Sequence, residues 1–150
     1  MNAKEYLTQY KKLKMKIKLL EEDIAILEAS IGSSPAPRDK DMPRSPSTRN
    51  TTEDMLVNLI DLKQDKETML HKAMITVSEI SKTIEALAGI EDQNAVTYMA
   101  VLYDRYILDM SWADIAENIG YSEDHTRGYL HGKALLAIDP LIPEKEINTH

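Results

Sequence analysis

The first thirty residues carry an apolar side chain at every third or fourth position without a break. The steps alternate between four and three residues, which is the 3.5-residue repeat of a coiled-coil seam. A stripe this narrow is buried only when a second helix packs against it. The seam positions are Tyr6, Tyr10, Leu13, Ile17, Leu20, Ile24, Leu27 and Ile31. The repeat predicts a long helix over residues 3–31 that needs a helical partner.

A second seam follows over residues 51–88, where Thr51 is the expected N-cap and Asp54 completes a capping box. Lys66 interrupts this seam. Its apolar positions are Leu59, Leu62, Met69, Ala73, Ile80, Ile84 and Leu87. Residues 32–50, between the two helices, contain four prolines and no apolar period, which predicts a flexible loop.

A loop of this length allows two arrangements of the long helices. They fold back on each other as an antiparallel hairpin, or each pairs with a helix of another chain. A lone two-helix seam buries little core, so the pattern favours dimerisation or higher assembly through residues 1–89.

The composition favours an all-α protein, because the chain has only five glycines among 150 residues and no phenylalanine. The absence of cysteine excludes disulfides and thiolate metal sites. No apolar run approaches the roughly 20 residues that span a bilayer, and the lysine-rich N-terminus lacks the apolar core of a secretory signal. We therefore expect a cytoplasmic protein without a membrane partner.

The charge is distributed unevenly along the chain. Residues 1–50 carry ten Lys and Arg against seven Asp and Glu, whereas residues 51–150 carry eight against eighteen. Phosphate contacts supply much of the affinity of DNA-binding proteins. The acidic second part therefore argues against a strong DNA-binding unit acting alone. The lysines that begin the first helix are either additional phosphate contacts or, more commonly, a solvated coiled-coil face.

Residues 92–139 change to a pattern of three short helices, followed by a tail over residues 140–150. The first helix is predicted over residues 95–108, with an inner face of Val96, Met99, Leu102, Tyr103, Tyr106 and Ile107. Ser111 is the expected N-cap of the second helix, 112–119. Ser122 is the expected N-cap of the third, 123–136.

Three residues have the spacing of a helix-turn-helix. Ala116 is small enough to sit where two helices cross, and Gly120 supplies the positive φ that a tight turn requires. Thr126 is a branched side chain that plugs the crossing, with Tyr129, Leu130 and Ala134 turned inward beside it. The alternative interpretation is a small helical bundle that has no role with DNA.

At these residues the chain resembles a known type of DNA-binding unit. Residues 103–107 (YDRYI), 111–116 (SWADIA), 120–122 (GYS) and 130–135 (LHGKAL) look like the helix-turn-helix of sigma-factor region 4. The chain is similar to phage-encoded transcriptional regulators of the RinA and ArpU kind. The resemblance implies DNA-binding control of late phage genes, in the host cytoplasm, with double-stranded DNA as the partner.

The faces of the third helix determine which side chains we expect to meet DNA. Arg127 is the predicted base reader, because a guanidinium bonds both acceptors of guanine. Glu123 and Asp124 either accept from a cytosine amino group or only complement the helix dipole. Lys133 and His131 suit phosphates, as do the backbone N–H groups at Ser111 and Ser122. The predicted DNA-binding residues are Ser122, Glu123, Asp124, His125, Arg127, Gly128, His131 and Lys133.

No catalytic motif is present in the sequence. The four histidines are too scattered for a metal site, and there is no phosphate-binding glycine loop, so we expect neither an enzyme nor a cofactor. Two other functions stay open. One is a phage DNA-packaging subunit of the small terminase kind, and the other is an interaction protein that grips RNA polymerase.

Overall fold

The computed structural model describes residues 1–32 and 47–143, with side chains from residue 52 in the second range. These parts are helical and contain no β-strand. The α-helices are α1 (Ala3–Gly32), α2 (Ser47–Glu85), α3 (Ala95–Tyr106), α4 (Trp112–Ile119) and α5 (His131–Ile138). Short 3-10 helices at Ala86–Gly89 and Asp139–Leu141 and a π-helical turn at His125–Leu130 complete the order. The prediction of an all-α chain is confirmed for the described residues.

The seam predicted for α1 is the buried face of that helix. Tyr6, Leu13, Ile17 and Ile24 are buried, and the other four predicted positions are partly buried. The same holds for α2, where Lys66 occupies a seam position as a partly buried residue. The burial follows the sequence because every third or fourth side chain of a helix lies on one face.

Helix α2 begins earlier than the sequence predicts. It starts at Ser47, so Thr51 lies inside the helix, and the capping box of Thr51 and Asp54 is wrong. The helix starts directly after Pro46, the last of the four prolines, which is consistent with the poor fit of proline in a helix interior. Of the predicted loop, residue 32 belongs to α1 and residues 47–50 belong to α2. The rest of the predicted loop, residues 33–46, lies outside the described residues.

The chain divides into two compact units whose boundary differs from the one predicted near residue 90. The first unit contains residues 1–12 together with the described residues from 73 onward, and the second contains Leu13–Lys72. In the first unit, Tyr6 and Leu7 of α1 share a core with α3, α4 and α5. The Tyr6 hydroxyl and Thr83 Oγ1 of α2 form a buried hydrogen bond of 2.8 Å. The start of the first helix is therefore part of the same core as the C-terminal helices.

In the second unit, ion pairs connect α1 and α2. Lys63 Nζ lies 3.3 Å from Glu28 Oε2, and Lys66 Nζ lies 3.3 Å from Glu21 Oε2. The second pair explains how a lysine is accommodated in an apolar seam. Its aliphatic stem covers apolar surface while the ammonium reaches a carboxylate.

Helix α3 buries a different face from the one predicted. Val96 is 73% exposed and Tyr103 is 41% exposed, whereas Tyr98 and Val101 are buried. The buried face thus extends to the side of Tyr98 and Val101, which the prediction left out, and excludes Val96 and Tyr103. Leu102, Tyr106 and Ile107 are buried as predicted.

Candidate nucleic-acid interface

The short helix α4 begins at the predicted cap. Ser111 has extended backbone geometry, and its Oγ accepts a 3.2 Å hydrogen bond from the N–H of Asp114. Such a cap satisfies one of the backbone donors that the first turn leaves unpaired. On the inner side of α4, Ile115 and Ala116 are buried. The cap therefore fixes where α4 starts and which side chains enter the core.

The turn after α4 has the backbone that the sequence requires. Gly120 adopts the left-handed region with φ +79°, and its N–H donates to the Ala116 carbonyl at 2.9 Å. The N–H of Tyr121 donates to the same carbonyl at 3.1 Å. This closure ends the helix within one residue and redirects the chain.

Ser122 starts the next helix, as predicted. Its Oγ accepts a 3.1 Å hydrogen bond from the N–H of His125. The fully buried Thr126 donates both its N–H and its hydroxyl to the Ser122 carbonyl, at 3.0 and 2.8 Å. Thr126 therefore occupies the buried position expected for the plug, and its hydroxyl is satisfied within its own helix.

The helical segment 123–138 runs two residues beyond the predicted end and contains the π-helical turn His125–Leu130. Such a turn holds one more residue than an α-helical turn and shifts the positions around it. Thr126, Leu130, Ala134 and Ile138 form the buried row. Tyr129, predicted to turn inward, is 54% exposed instead, so this prediction is wrong.

An aromatic column therefore lies on the outer side of the segment. The ring of His125 stacks between Tyr121, at a centroid distance of 5.2 Å, and Tyr129, at 5.0 Å. The ammonium of Lys133 lies 5.6 Å from the centroid of the Tyr129 ring. These residues follow one another at intervals of four, and both tyrosines are exposed. The spacing is visible in the sequence, whereas the exposure of Tyr129, which lies in the π-helical turn, is seen only in the structure.

The predicted base reader Arg127 is exposed but not free. Its Nη2 lies 3.2 Å from Asp124 Oδ1, and its Nη1 lies 3.7 Å from Glu123 Oε2. Both carboxylates are themselves exposed, so these ion pairs are weak and exchangeable. Of the other predicted residues, Ser122, Gly128 and Lys133 are also exposed. The segment therefore presents most of the predicted set on its surface.

His131 was predicted to lie on this outer side, but in the structure it turns inward. Its ring stacks on Tyr106 at a centroid distance of 5.7 Å and meets the edge of Trp112 at 4.7 Å. Its Nε2 and the Tyr106 hydroxyl are joined by a 2.6 Å hydrogen bond. Burial, together with the nearby cations Lys4 and Arg105, lowers the pKa of His131 to about 4. The imidazole is therefore neutral at pH 7 and offers no charge to a phosphate.

His131 instead forms part of a basic cleft of about 330 Å³ in the first compact unit. The cleft combines the start of α1 with α3, α4 and the segment 123–138. It is lined by Lys4, Thr8, Lys11, Arg105, Tyr106, Trp112, Arg127 and His131. The lysine-rich start of the sequence was a signal for part of this cleft, whereas nothing local indicated that Arg105 would join it.

The described residues contain no group of histidine and carboxylate side chains that is arranged to hold a metal ion. Within the same residues, no helix has both the length and the apolar character needed to cross a membrane. Comparison of the chain with protein-family models, with curated proteins and with solved structures found no match in any of the three.

Proposed function

We propose that this chain is a DNA-binding transcriptional regulator that reads the major groove with the segment 123–138. In this proposal, α4, the Gly120 turn and that segment are a helix-turn-helix of the sigma region 4 type. The observation that carries the proposal is the capped, left-handed turn at Gly120, which joins two helices with inward-facing Ala116 and Thr126. A helix-turn-helix needs a sharp turn and a small buried contact at this spacing.

The start of α1 reduces the main objection to this function, which is the acidic charge of the C-terminal part. Lys4 and Lys11 belong to the same compact unit as the segment 123–138. They bring basic side chains to a unit that otherwise carries an excess of carboxylates. Both lysines line the basic cleft together with Arg127. Phosphate contacts from α1 would therefore supplement base reading by the segment.

DNA selection followed by sequencing tests the proposal. We expect a recovered motif, and Arg127→Ala should weaken binding to that motif by about 1–3 kcal/mol. The matched control is Lys82→Ala, which removes an exposed cation of α2 outside the cleft and should change affinity little. Recovery of random sequences, or equal losses in both variants, would argue against base reading by Arg127.

A second candidate is an interaction protein that uses the same fold to grip RNA polymerase. The pairing of Arg127 with Glu123 and Asp124 favours it, because this pairing lowers the positive charge available to DNA. Capture of purified RNA polymerase by the chain, together with random recovery in the DNA selection, would support this candidate over the first.

We further propose that the long helices form an antiparallel hairpin within each chain and a dimer between chains. The order of the ion pairs supports the hairpin, since the higher-numbered lysine of α2 meets the lower-numbered glutamate of α1. A second row of side chains on α2 supports the dimer. Its positions each come one residue after a position of the seam. The row contains the exposed apolar residues Leu56, Ile60 and Leu70, with Lys63 and Glu67 between them.

The pattern of this row is the same when the helix is read in the opposite direction. When two copies of α2 run antiparallel with Ile60 opposite Leu70, each Lys63 lies opposite the Glu67 of the other copy. A two-fold interface requires such reciprocity. Sedimentation at increasing concentration tests the dimer. Ile60→Glu should shift the chain toward monomer, whereas Gln64→Glu, which adds the same charge outside the row, should leave the dimer intact.

A further inference from the structure

The basic cleft is an open concavity, lined mainly by charged and polar side chains, that is large enough for a small anion. Its volume of about 330 Å³ lies within the range of small-molecule pockets. Its lining side chains come from α1, α3, α4 and the segment 123–138. Residues far apart in the sequence therefore converge on one space, which a surface scatter of lysines would not produce.

The charge of this lining is entirely positive. Lys4, Lys11, Arg105 and Arg127 line the cleft, and no carboxylate does. Two of these cations form ion pairs with carboxylates that lie outside the lining. Asp109 pairs with Lys11, and Glu123 and Asp124 pair with Arg127. These ion pairs join half-exposed groups and exchange readily with a bound anion.

The other two cations have no carboxylate within ion-pair distance among the described residues. Lys4 is exposed at the rim. Arg105 is fixed, because its Nη1 donates to the Met110 carbonyl at 3.1 Å and its guanidinium lies 4.6 Å from the centroid of Trp112. A fixed guanidinium loses little conformational entropy when it binds an anion.

We propose that this cleft binds a phosphate group, held by Lys4, Lys11 and Arg105, with the aromatic wall of Trp112 and Tyr106 beside it. Phosphate fits better than a single carboxylate, because its several oxygens accept from donors that approach from different sides. The phosphate is either one of a DNA backbone that passes Arg127 or that of a free phosphate ester. The site itself does not rest on the proposed function.

Trp112 makes the test direct, because it is the only tryptophan of the chain and lies in the cleft wall. Titration with inorganic phosphate at constant ionic strength, against chloride, should give a saturable change in tryptophan fluorescence. Lys4→Gln should weaken this binding on the order of tenfold. Lys12→Gln removes the same charge from an exposed position of α1 outside the cleft, and should bind like the unaltered chain.

Two further arms identify the source of the phosphate. If a short DNA duplex competes with inorganic phosphate and its own binding needs Lys4, the cleft takes a backbone phosphate. If a nucleoside monophosphate competes and the duplex does not, the cleft binds a free phosphate ester. This result supports the phosphate site but weakens the proposal that the chain binds DNA. No response to phosphate beyond that to chloride would overturn the site. Equal binding by the Lys4 and Lys12 variants would overturn it as well.

Discussion

The hydroxyl of Tyr106 lies 2.6 Å from Nε2 of His131, and the two rings stack at an angle of 28°. This pair joins the end of α3 to the start of α5. Burial raises the pKa of the Tyr106 hydroxyl, against the opposing effect of Arg105. Burial also lowers the pKa of His131 to about 4. Both groups are therefore neutral near pH 7, and the contact is a hydrogen bond between uncharged partners.

The lowered pKa of His131 predicts that acid destabilises the fold. Because the unfolded imidazole has its ordinary pKa of 6.5, the unfolded state binds the proton first as the pH falls. The stability that His131 contributes is complete above pH 6.5 and is lost as the pH falls toward 4. Because His131 is only partly buried and solvent screens its charge, we expect this loss to be about 1–2 kcal/mol. Urea unfolding of the chain and of His131→Gln at both pH values checks it. The glutamine variant should lose less stability, and parallel pH curves would contradict the assignment.

The left-handed backbone at Gly120 predicts opposite effects of alanine at two glycines. A Cβ at Gly120 meets nothing within 4 Å, so Gly120→Ala pays only for the positive φ, about 1 kcal/mol of unfolding free energy. Gly132 lies in α5 with equally open space around a Cβ. Gly132→Ala should stabilise the chain by about 0.5–1 kcal/mol, because alanine favours helix. Thermal melts of both variants check the contrast, and two changes of the same sign would refute it.

The burial of Thr126 predicts how its variants rank. Thr126→Val keeps the branched shape, and the Ser122 carbonyl still accepts the backbone N–H of residue 126. Loss of the hydroxyl bond should therefore change stability by less than about 1 kcal/mol. Thr126→Ala also empties space in the core and should cost about 1–2 kcal/mol. Denaturant unfolding distinguishes the two. Equal losses for the two variants would show that the hydroxyl bond to Ser122, which both lack, matters more than the volume that only alanine loses.

The ion pairs of Arg127 predict that neutralising its partners strengthens DNA binding, given the proposed function. Glu123→Gln combined with Asp124→Asn frees the guanidinium and removes two charges that repel phosphate. We expect a tighter complex and, because nearby negative charge falls, a gain that is largest at low salt. Glu117→Gln combined with Glu91→Gln, which removes two exposed acids outside the Arg127 pairs, is the control for charge alone. Equal gains in both would remove any special role of the Arg127 pairs.

The reciprocal row on α2 predicts a charge-swap rescue, given the proposed dimer. Lys63→Glu places like charges opposite each other across the two-fold axis and should weaken association. The double variant Lys63→Glu with Glu67→Lys restores both cross-chain pairs and should recover most of it. Both variants lose the Lys63–Glu28 pair within the chain. They also differ in the i,i+4 contact of residues 63 and 67 within one helix, which changes helix stability by only about 0.2–0.5 kcal/mol, so association is the measurement that separates them. Analytical ultracentrifugation measures the association, and a double variant as weak as the single one would exclude this register.

The sequence by itself determined the features that depend on neighbouring residues. The seam of α1 follows from its spacing, because a helix brings every third or fourth side chain to one face. The caps at Ser111 and Ser122 and the turn at Gly120 follow from local backbone chemistry. A side chain that bonds the backbone three residues away, or a glycine without a Cβ, acts wherever the chain places it.

Only the tertiary structure decided what depends on distant partners. The start of α1 joins the C-terminal core through contacts such as Tyr6 with Thr83, which are 77 residues apart. His131 turns inward because Tyr106, 25 residues away, offers it a hydrogen bond. Tyr129, which lies in the π-helical turn, is exposed although its spacing from Thr126 was expected to turn it inward. The first two outcomes depend on packing between separate helices, and local spacing carries no information about which partner a side chain will meet.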